Sequence, residues 1–321
     1  MIAALAALAL QAGGSDSGAA PLVASVRAHH ADPVAFIRDA VRRHRLVFLG
    51  DIHPAALPKE IVQAVIAAED SVPGEAALAA LALEVGRDQQ EYIERYLTSV
   101  PEDSTILLDH PVTLRVVWGA SREYLGIYRA VWRHNHRAGR ARPIAIIAVD
   151  VPGWPIPALT VGMALQAFAG RDHGLAGNLE AALARLGPDG HMLAFLGGYH
   201  GLKRVTARVV SGAAELTLDG WAGGLLAQRG VDVYTVFTDG AAAGGGLDSG
   251  ATRLYPLVER AGLAPPFVAP LDSSVDVLRA PLVPIEQEGM SLEFVPERFS
   301  LREAADAYLF LGRFRGITGV H

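Results

Sequence analysis

Four apolar runs of strand length in this chain end on titratable side chains. Leu46–Leu49 passes through Gly50 to Asp51 and His53, and Ala80–Leu83 meets Glu84. Ile144–Val149 meets Asp150, and Met192–Leu196 passes through Gly197, Gly198 and Tyr199 to His200. Strands that are apolar on both faces belong to a parallel sheet covered by helices, and such sheets bind ligands outside the carboxyl ends of their strands. The pattern predicts an α/β protein with a mostly parallel central sheet flanked by helices on both faces. It also predicts one site gathering Asp51, His53, Glu84, Asp150 and His200.

Between these runs the apolar spacing turns helical. Asp32 is placed to cap a helix running to Arg43, with Pro33 in its first turn and Val34, Phe36, Ile37, Ala40 and Val41 on one face. Pro58-Lys59-Glu60 opens a second helix, striped by Ile61, Val62, Val65 and Ile66 and closed by Pro73 and Gly74. Tyr92, Ile93, Tyr96 and Leu97 mark a third. Arg122–Arg137 is a fourth, turning Tyr124, Leu125, Tyr128, Val131 and Trp132 inward. Leu107–Trp118, interrupted by Asp109, His110 and Pro111, predicts short helical pieces of a lid. Two helices, at about residues 159–168 and 175–186, lead to the fourth strand.

Further on, Val205–Ala214 is amphipathic, residues 220–228 are helical up to Gly230, and Val231–Phe237 alternates as a fifth strand. Residues 241–250 form a glycine-rich loop, and 281–299 a hairpin-like pair around Glu288-Gly289. Ser300–Glu303 is a capping box, and Tyr308–Leu311 a last strand. No repeat or linker interrupts residues 24–321, which are expected to form one domain.

Composition narrows the partners. The 321 residues are 51% hydrophobic and 19% charged, enough to bury a large core. A net charge of −6 gives no basic footprint for nucleic acid, so the expected partner is a small-molecule or peptide substrate. The absence of cysteine excludes disulfides, thiolate metal sites, iron–sulfur clusters and a cysteine nucleophile. Residues 1–23 read as a signal peptide lacking its basic start, or as a disordered N-terminus. Their apolar run is too short to span a bilayer. A signal would send the protein to the periplasm or envelope; otherwise it is cytoplasmic.

His53, Glu84 and His200 suit two chemistries. A divalent ion such as zinc or manganese, held with one position open, would turn bound water into a nucleophile. Without metal, a histidine would act as general base while Asp51 and Asp150 orient imidazoles and hold their tautomers. Gly197, Gly198 and Gly201 would let a substrate oxygen reach backbone N–H groups as an oxyanion contact. Taken singly, each titratable residue reads as a cap or a buried histidine; four strand ends sharing the feature read as a site.

Arg87 and Asp88 are substrate contacts or first-turn capping residues with equal weight. Tyr199 packs its ring or ligates iron, and Trp154, in the stiff loop Val151–Pro157, forms a pocket wall. The basic stretch 133–142 reads as a solvated helix end, and His134 and His136 point to different sides. No Gly-x-Ser-x-Gly elbow or phosphate-cradling glycine loop occurs.

At these residues the sequence resembles the ChaN-like haem-binding family, within a superfamily that includes TIKI/TraB-type metalloproteases and erythromycin esterases. The resemblance rests on Leu49-Gly50-Asp51-Ile52-His53, on Leu83-Glu84-Val85-Gly86-Arg87-Asp88-Gln89-Gln90 with Tyr96-Leu97, on Ile147–Pro152, and on Gly197-Gly198-Tyr199-His200. Asp51 stands where the family usually has Glu, which keeps the charge and shortens the reach. The resemblance covers residues 40–240 and implies an α/β sheet with the His, Glu, His set at its carboxyl edge. In the esterase and TIKI branches that set is catalytic or metal-binding, a role carried onto His53, Glu84 and His200. In the ChaN branch the implied function is haem binding in iron uptake.

Overall fold

A computed structural model of the chain describes residues 19–69, 78–108, 121–137, 142–153, 161–211, 214–218, 220–243, 255–271, 285–287, 290–294 and 301–320. The first half alternates helices and strands: α1 (Ala19–His29), α2 (Pro33–Arg43), β1 (Leu46–Asp51), α3 (Ala56–Ala68), β2 (Leu78–Gly86), α4 (Gln90–Thr98), α5 (Thr105–Leu108), α6 (Arg122–His136), β3 (Ala145–Asp150), α7 (Val161–Leu186) and β4 (His191–Gly197). Then come β5 (Ala207–Ser211), β6 (Ala214–Leu218), α8 (Ala222–Gln228), β7 (Val233–Ala242), α9 (Tyr255–Glu259), β8 (Phe267–Pro270), β9 (Ile285–Gln287), β10 (Met290–Phe294), α10 (Leu301–Ala304) and β11 (Ala307–Phe314).

The main sheet has the order β3-β2-β4-β1-β7-β11-β8, parallel throughout except for β8, which runs antiparallel at the edge. A second, antiparallel sheet has the order β6-β5-β10-β9. The amphipathic stretch after Val205 is thus a strand pair of this second sheet, and β9 and β10 form the expected hairpin-like pair.

Alternate residues of β1 enter different apolar clusters. Val47 and Leu49 pack with Ile37 and Val41 of α2, Val62 and Ile66 of α3 and Tyr128 of α6. Leu46 and Phe48 pack with Leu175 and Leu179 of α7 and Leu226 of α8. Local signals fix the helix starts: Asp32 Oδ1 accepts the Ala35 N–H at 2.9 Å, and Ser121 Oγ accepts that of Tyr124 at 3.1 Å. Gln90 closes the open edge of β3, accepting from the Ala148 N–H at 2.8 Å and donating to the Ile146 carbonyl at 3.0 Å.

One expectation is overturned here. The two helices expected at 159–168 and 175–186 are the single helix α7, which runs through Gly170-Arg171-Asp172-His173-Gly174 without a break. The polar residues there bind inward, as described below. At Gly174 a Cβ would lie 2.8 Å from Val151 Cγ1, so a larger residue would displace that side chain. The lid segment beyond Leu108 and Trp154 fall outside the described residues. Among the described residues no helix is long and apolar enough to cross a membrane.

Candidate active site at the carboxyl edge of the sheet

Strand register brings the expected residues together. β1 stays paired with β4 through Asp51 and Gly197, whereas its pairing with β7 ends at Leu49 and Val236. The register of β2 against β3 shifts between Leu83 and Gly86, an extra residue in the stretch that holds Glu84 and Val85. Gly50 has no room for a side chain, since a Cβ would stand 2.9 Å from Gly198 Cα. The end of β1 and the turn after β4 therefore close against each other.

On one side stands His53. Asp51, buried beneath it, accepts from Lys59 Nζ at 2.5 Å, Tyr124 Oη at 2.8 Å and His53 Nδ1 at 3.0 Å. Lys59, fully buried in the first turns of α3, also donates to the carbonyls of Ile52 at 2.9 Å and His53 at 2.8 Å. Burial pushes the Asp51 carboxyl up, but Lys59 and the His53 hydrogen bond outweigh it and leave the group below its ordinary range. A carboxylate only accepts, so His53 Nδ1 must carry the proton, and Nε2 presents a lone pair. That nitrogen faces Glu84 Oε2 across 3.9 Å, and the His53 side chain is 38% exposed.

On the other side stands His200. Its Nδ1 meets Asp172 Oδ1 of α7 at 2.9 Å, and Asp172 also accepts the Ala222 N–H at the start of α8. The Gly223 N–H holds the His200 carbonyl at 2.8 Å, and a Cβ on Gly223 would fall 2.2 Å from the Gly201 oxygen. Only glycine permits this seat for the histidine turn.

Arg171 joins the two sides. Its Nη2 donates to Glu84 Oε1 and, at 2.6 Å, to Asp150 Oδ2, while Nε donates to Asp150 Oδ1 at 3.1 Å. Glu84 Oε2 accepts the Gly197 N–H at 2.6 Å, and Oε1 lies 3.6 Å from His200 Nε2. Burial raises the Glu84 carboxyl, yet Arg171 and both histidines hold it well below the usual carboxylate range.

Two observations on His200 pull apart. An Arg171 Nη1–H directed at Nε2 over 3.2 Å calls for a lone pair there. Burial disfavours the imidazolium, but Asp172 and Glu84 outweigh burial and the opposing Arg171, and raise the pKa to about 10. The raised value stands because Asp172 and Glu84 remain wherever the guanidinium points. At neutral pH His200 is therefore an imidazolium, and its Nε2, 3.2 Å from Arg171 Nη1, carries a proton rather than accepting one.

Asp51, His53, Glu84, Asp150 and His200 thus converge, with Asp150 acting through Arg171. Arg87 instead donates to Asn178 Oδ1 at 2.9 Å, Asn178 holds the Val149 carbonyl, and Asp88 accepts the Gly153 N–H at 3.0 Å. These contacts tie the edge strand to its neighbours. Tyr199 packs its ring 6.2 Å from Trp221, and burial, then Asp239, pushes its hydroxyl upward. Lys59, Tyr124, Arg171 and Asp172 were not anticipated as site residues.

Two further expectations meet this geometry. The Gly197 N–H is held by Glu84 and the Gly198 N–H by the Asp51 carbonyl at 3.1 Å, so neither points at a substrate oxygen. The metal set His53, Glu84, His200 does not fit as arranged, because both Glu84 oxygens are engaged by N–H donors. Among the described residues no group of three His, Cys, Asp or Glu side chains is set to hold a metal ion.

No protein-family model matches the sequence, and no curated protein matches it. Solved structures do. A Bacillus cereus protein aligns over 94% of this chain and 99% of its own at 12% identity, TM-score 0.58. A succinoglycan biosynthesis protein aligns over 95% and 99% at 10% identity, TM-score 0.59. An erythromycin esterase mutant in its open conformation aligns over 89% and 94% at 13% identity, TM-score 0.56. At these identities the likeness shows a shared fold, the one these three structures have in common.

Proposed function

We propose that this chain is a hydrolase-like enzyme that cleaves an ester or amide of a small-molecule or peptide substrate at His53, Glu84 and His200, without a metal. One observation carries the reading. Two imidazoles face one buried glutamate at 3.9 and 3.6 Å, and each is steadied from behind by its own aspartate, at 3.0 and 2.9 Å. A merely structural histidine needs one partner; this pair is oriented toward a shared space.

The sheet is read as doubly wound, with helices on both faces. Supporting this, the loop after β1 leads to α3, in the cluster of Val47 and Leu49, while the connection from β4 to β7 passes through β5 and β6 and returns by α8, in the cluster of Leu46 and Phe48. Neighbouring strands whose exits part in this way leave a crevice at their carboxyl ends. In that crevice His53 Nε2 takes a proton from water, and the hydroxide oxygen adds to the acyl carbon. The oxyanion forms toward His200 and Arg171, whose positive charge is fixed by Asp172, Glu84 and Asp150. The carbon to leaving-group bond then breaks, and the proton on His53 passes to the departing oxygen or nitrogen.

The two rings sit in different surroundings. His200 is held near 10 by its carboxylates, and the more exposed His53 meets the water. Haem binding, the second function the resemblance implies, has less support here, because burial works against a Tyr199 tyrosinate ligand.

The test is turnover of p-nitrophenyl butyrate by metal-free protein, with hemin added to a parallel sample. His53→Asn and Glu84→Gln should each lower kcat by roughly 10²- to 10⁴-fold with the far-UV spectrum unchanged. Full activity in His53→Asn would overturn the reading, and a Soret band lost in Tyr199→Phe would favour haem.

A further inference from the structure

Beyond β11 the chain runs as an extended, exposed strap over residues 315–320, which none of the chemistry above uses. It pairs on both sides. The Ala56 N–H donates to the Arg315 carbonyl at 3.0 Å and the Ile317 N–H to the Pro54 carbonyl at 2.9 Å, directly after His53. On the other side the Arg122 N–H donates to the Thr318 carbonyl at 2.9 Å, and the Thr318 N–H to Glu123 Oε2 at 2.8 Å. Short bridges join Ala55 to Gly316 and Ser121 to Gly319.

Arg315 spans the same gap with its side chain. Nη1 donates to Glu123 Oε1 of α6 at 2.8 Å, and Nη2 donates to Glu60 Oε1 of α3. Each carboxylate adjoins a residue that holds Asp51 from within: Glu60 follows Lys59, and Glu123 precedes Tyr124. The guanidinium outside therefore clamps the two helix starts whose inner side chains grip the carboxylate behind His53.

We propose that Arg315 is a positioning residue for the base, setting the spacing of α3 and α6 so that Lys59 and Tyr124 meet Asp51 and the His53 ring keeps one tautomer. The proposal rests on His53 being the base only for its catalytic consequence; the positioning itself is read without substrate. The Arg315–Glu60 arm of the clamp is exposed and adds little to stability, so a purely structural role there would leave a small trace. A misplaced base costs far more in rate.

The test uses full-length protein with ring-¹⁵N histidine, the His53 signals being assigned by their loss in His53→Gln. Wild type should give a single Nδ1–H tautomer with a slowly exchanging proton. Arg315→Met should lose that proton signal and move the Nε2 shift toward the tautomer average, and Arg315→Lys should restore part of it. With p-nitrophenyl butyrate, kcat should fall roughly 10- to 100-fold in Arg315→Met with little change in KM. A wild-type tautomer signal in Arg315→Met, or in the paired variant Glu60→Gln with Glu123→Gln should the first not fold, overturns the proposal. Full turnover in His53→Gln would sink the enzyme reading alone, leaving the tautomer result to decide the positioning role.

Discussion

Replacing Arg171 with methionine is the sharpest perturbation this site offers. The guanidinium is buried and serves Glu84, Asp150 and His200 together, so methionine leaves two buried carboxylates without their cation. Removing one partner of a buried ion pair costs about 3–5 kcal/mol, because the survivor stays desolvated. Against a total stability of about 5–15 kcal/mol, that is a large share. With a urea slope on the order of 3 kcal/mol/M, the midpoint should fall by more than about 1 M at pH 7.5.

The pH dependence supplies the stronger check. In wild type the Glu84 pKa lies well below 4.5, so its contribution is present above that value and is lost as pH falls through the folded one. Without Arg171, burial dominates and the folded pKa rises above the unfolded value. The variant is then penalised most at high pH and recovers as the carboxyl takes up its proton. The gap between wild type and Arg171→Met should therefore narrow between pH 7.5 and 5. Urea curves at both pH values measure it, and a constant gap, or a loss under about 1 kcal/mol, would refute the claim that these carboxylates are ionised and held by Arg171.

Smaller changes test the supports. Tyr124→Phe removes one hydrogen bond to the Asp51 carboxylate and should cost about 1.5–3 kcal/mol in urea unfolding. Asp172→Asn withdraws the charge that raises His200, whose stabilisation is full below pH 6.5 and is lost as pH climbs toward about 10. The stability difference between wild type and this variant should shrink over that range, and parallel curves would contradict the assignment. Gln90→Leu deprives the β3 edge of two hydrogen bonds, worth about 1–3 kcal/mol together, and should speed amide exchange at Ala148.

What the sequence disclosed and what it hid follow from chain physics. Buried parallel strands are continuous apolar runs, so β1 to β4 and the acids or histidines at their ends were legible, as was the capping of α2 by Asp32. Arg171 and Asp172 were hidden because a polar triplet flanked by two glycines looks like a helix break. A helix carries such residues inward only when distant carboxylates and an imidazole await them, and those partners lie on other strands. A signal was nonetheless present, since Arg171 shares a helix face with Leu175 and Leu179. Lys59 likewise falls on the stripe of Val62 and Ile66, a cation on an apolar face that called for a buried carboxylate. The hydroxyl of Tyr124 gave no such hint, because an inward tyrosine packs its ring whether or not an acid lies beyond it.

The charges of the cluster explain why four strand ends alone make an incomplete site. Asp51 meets Lys59, Glu84 and Asp150 meet Arg171, and Asp172 meets His200, so each carboxylate of the cluster has a cationic or imidazole partner. Lys59 balances the side of His53 and Arg171 the side of His200, each from a helix that packs against the sheet. A proton on His200 answers a third carboxylate. His53, the more exposed of the two rings, is left to meet the water. The strands thus supply the reacting groups, and the helices supply the cations that let those groups stand together.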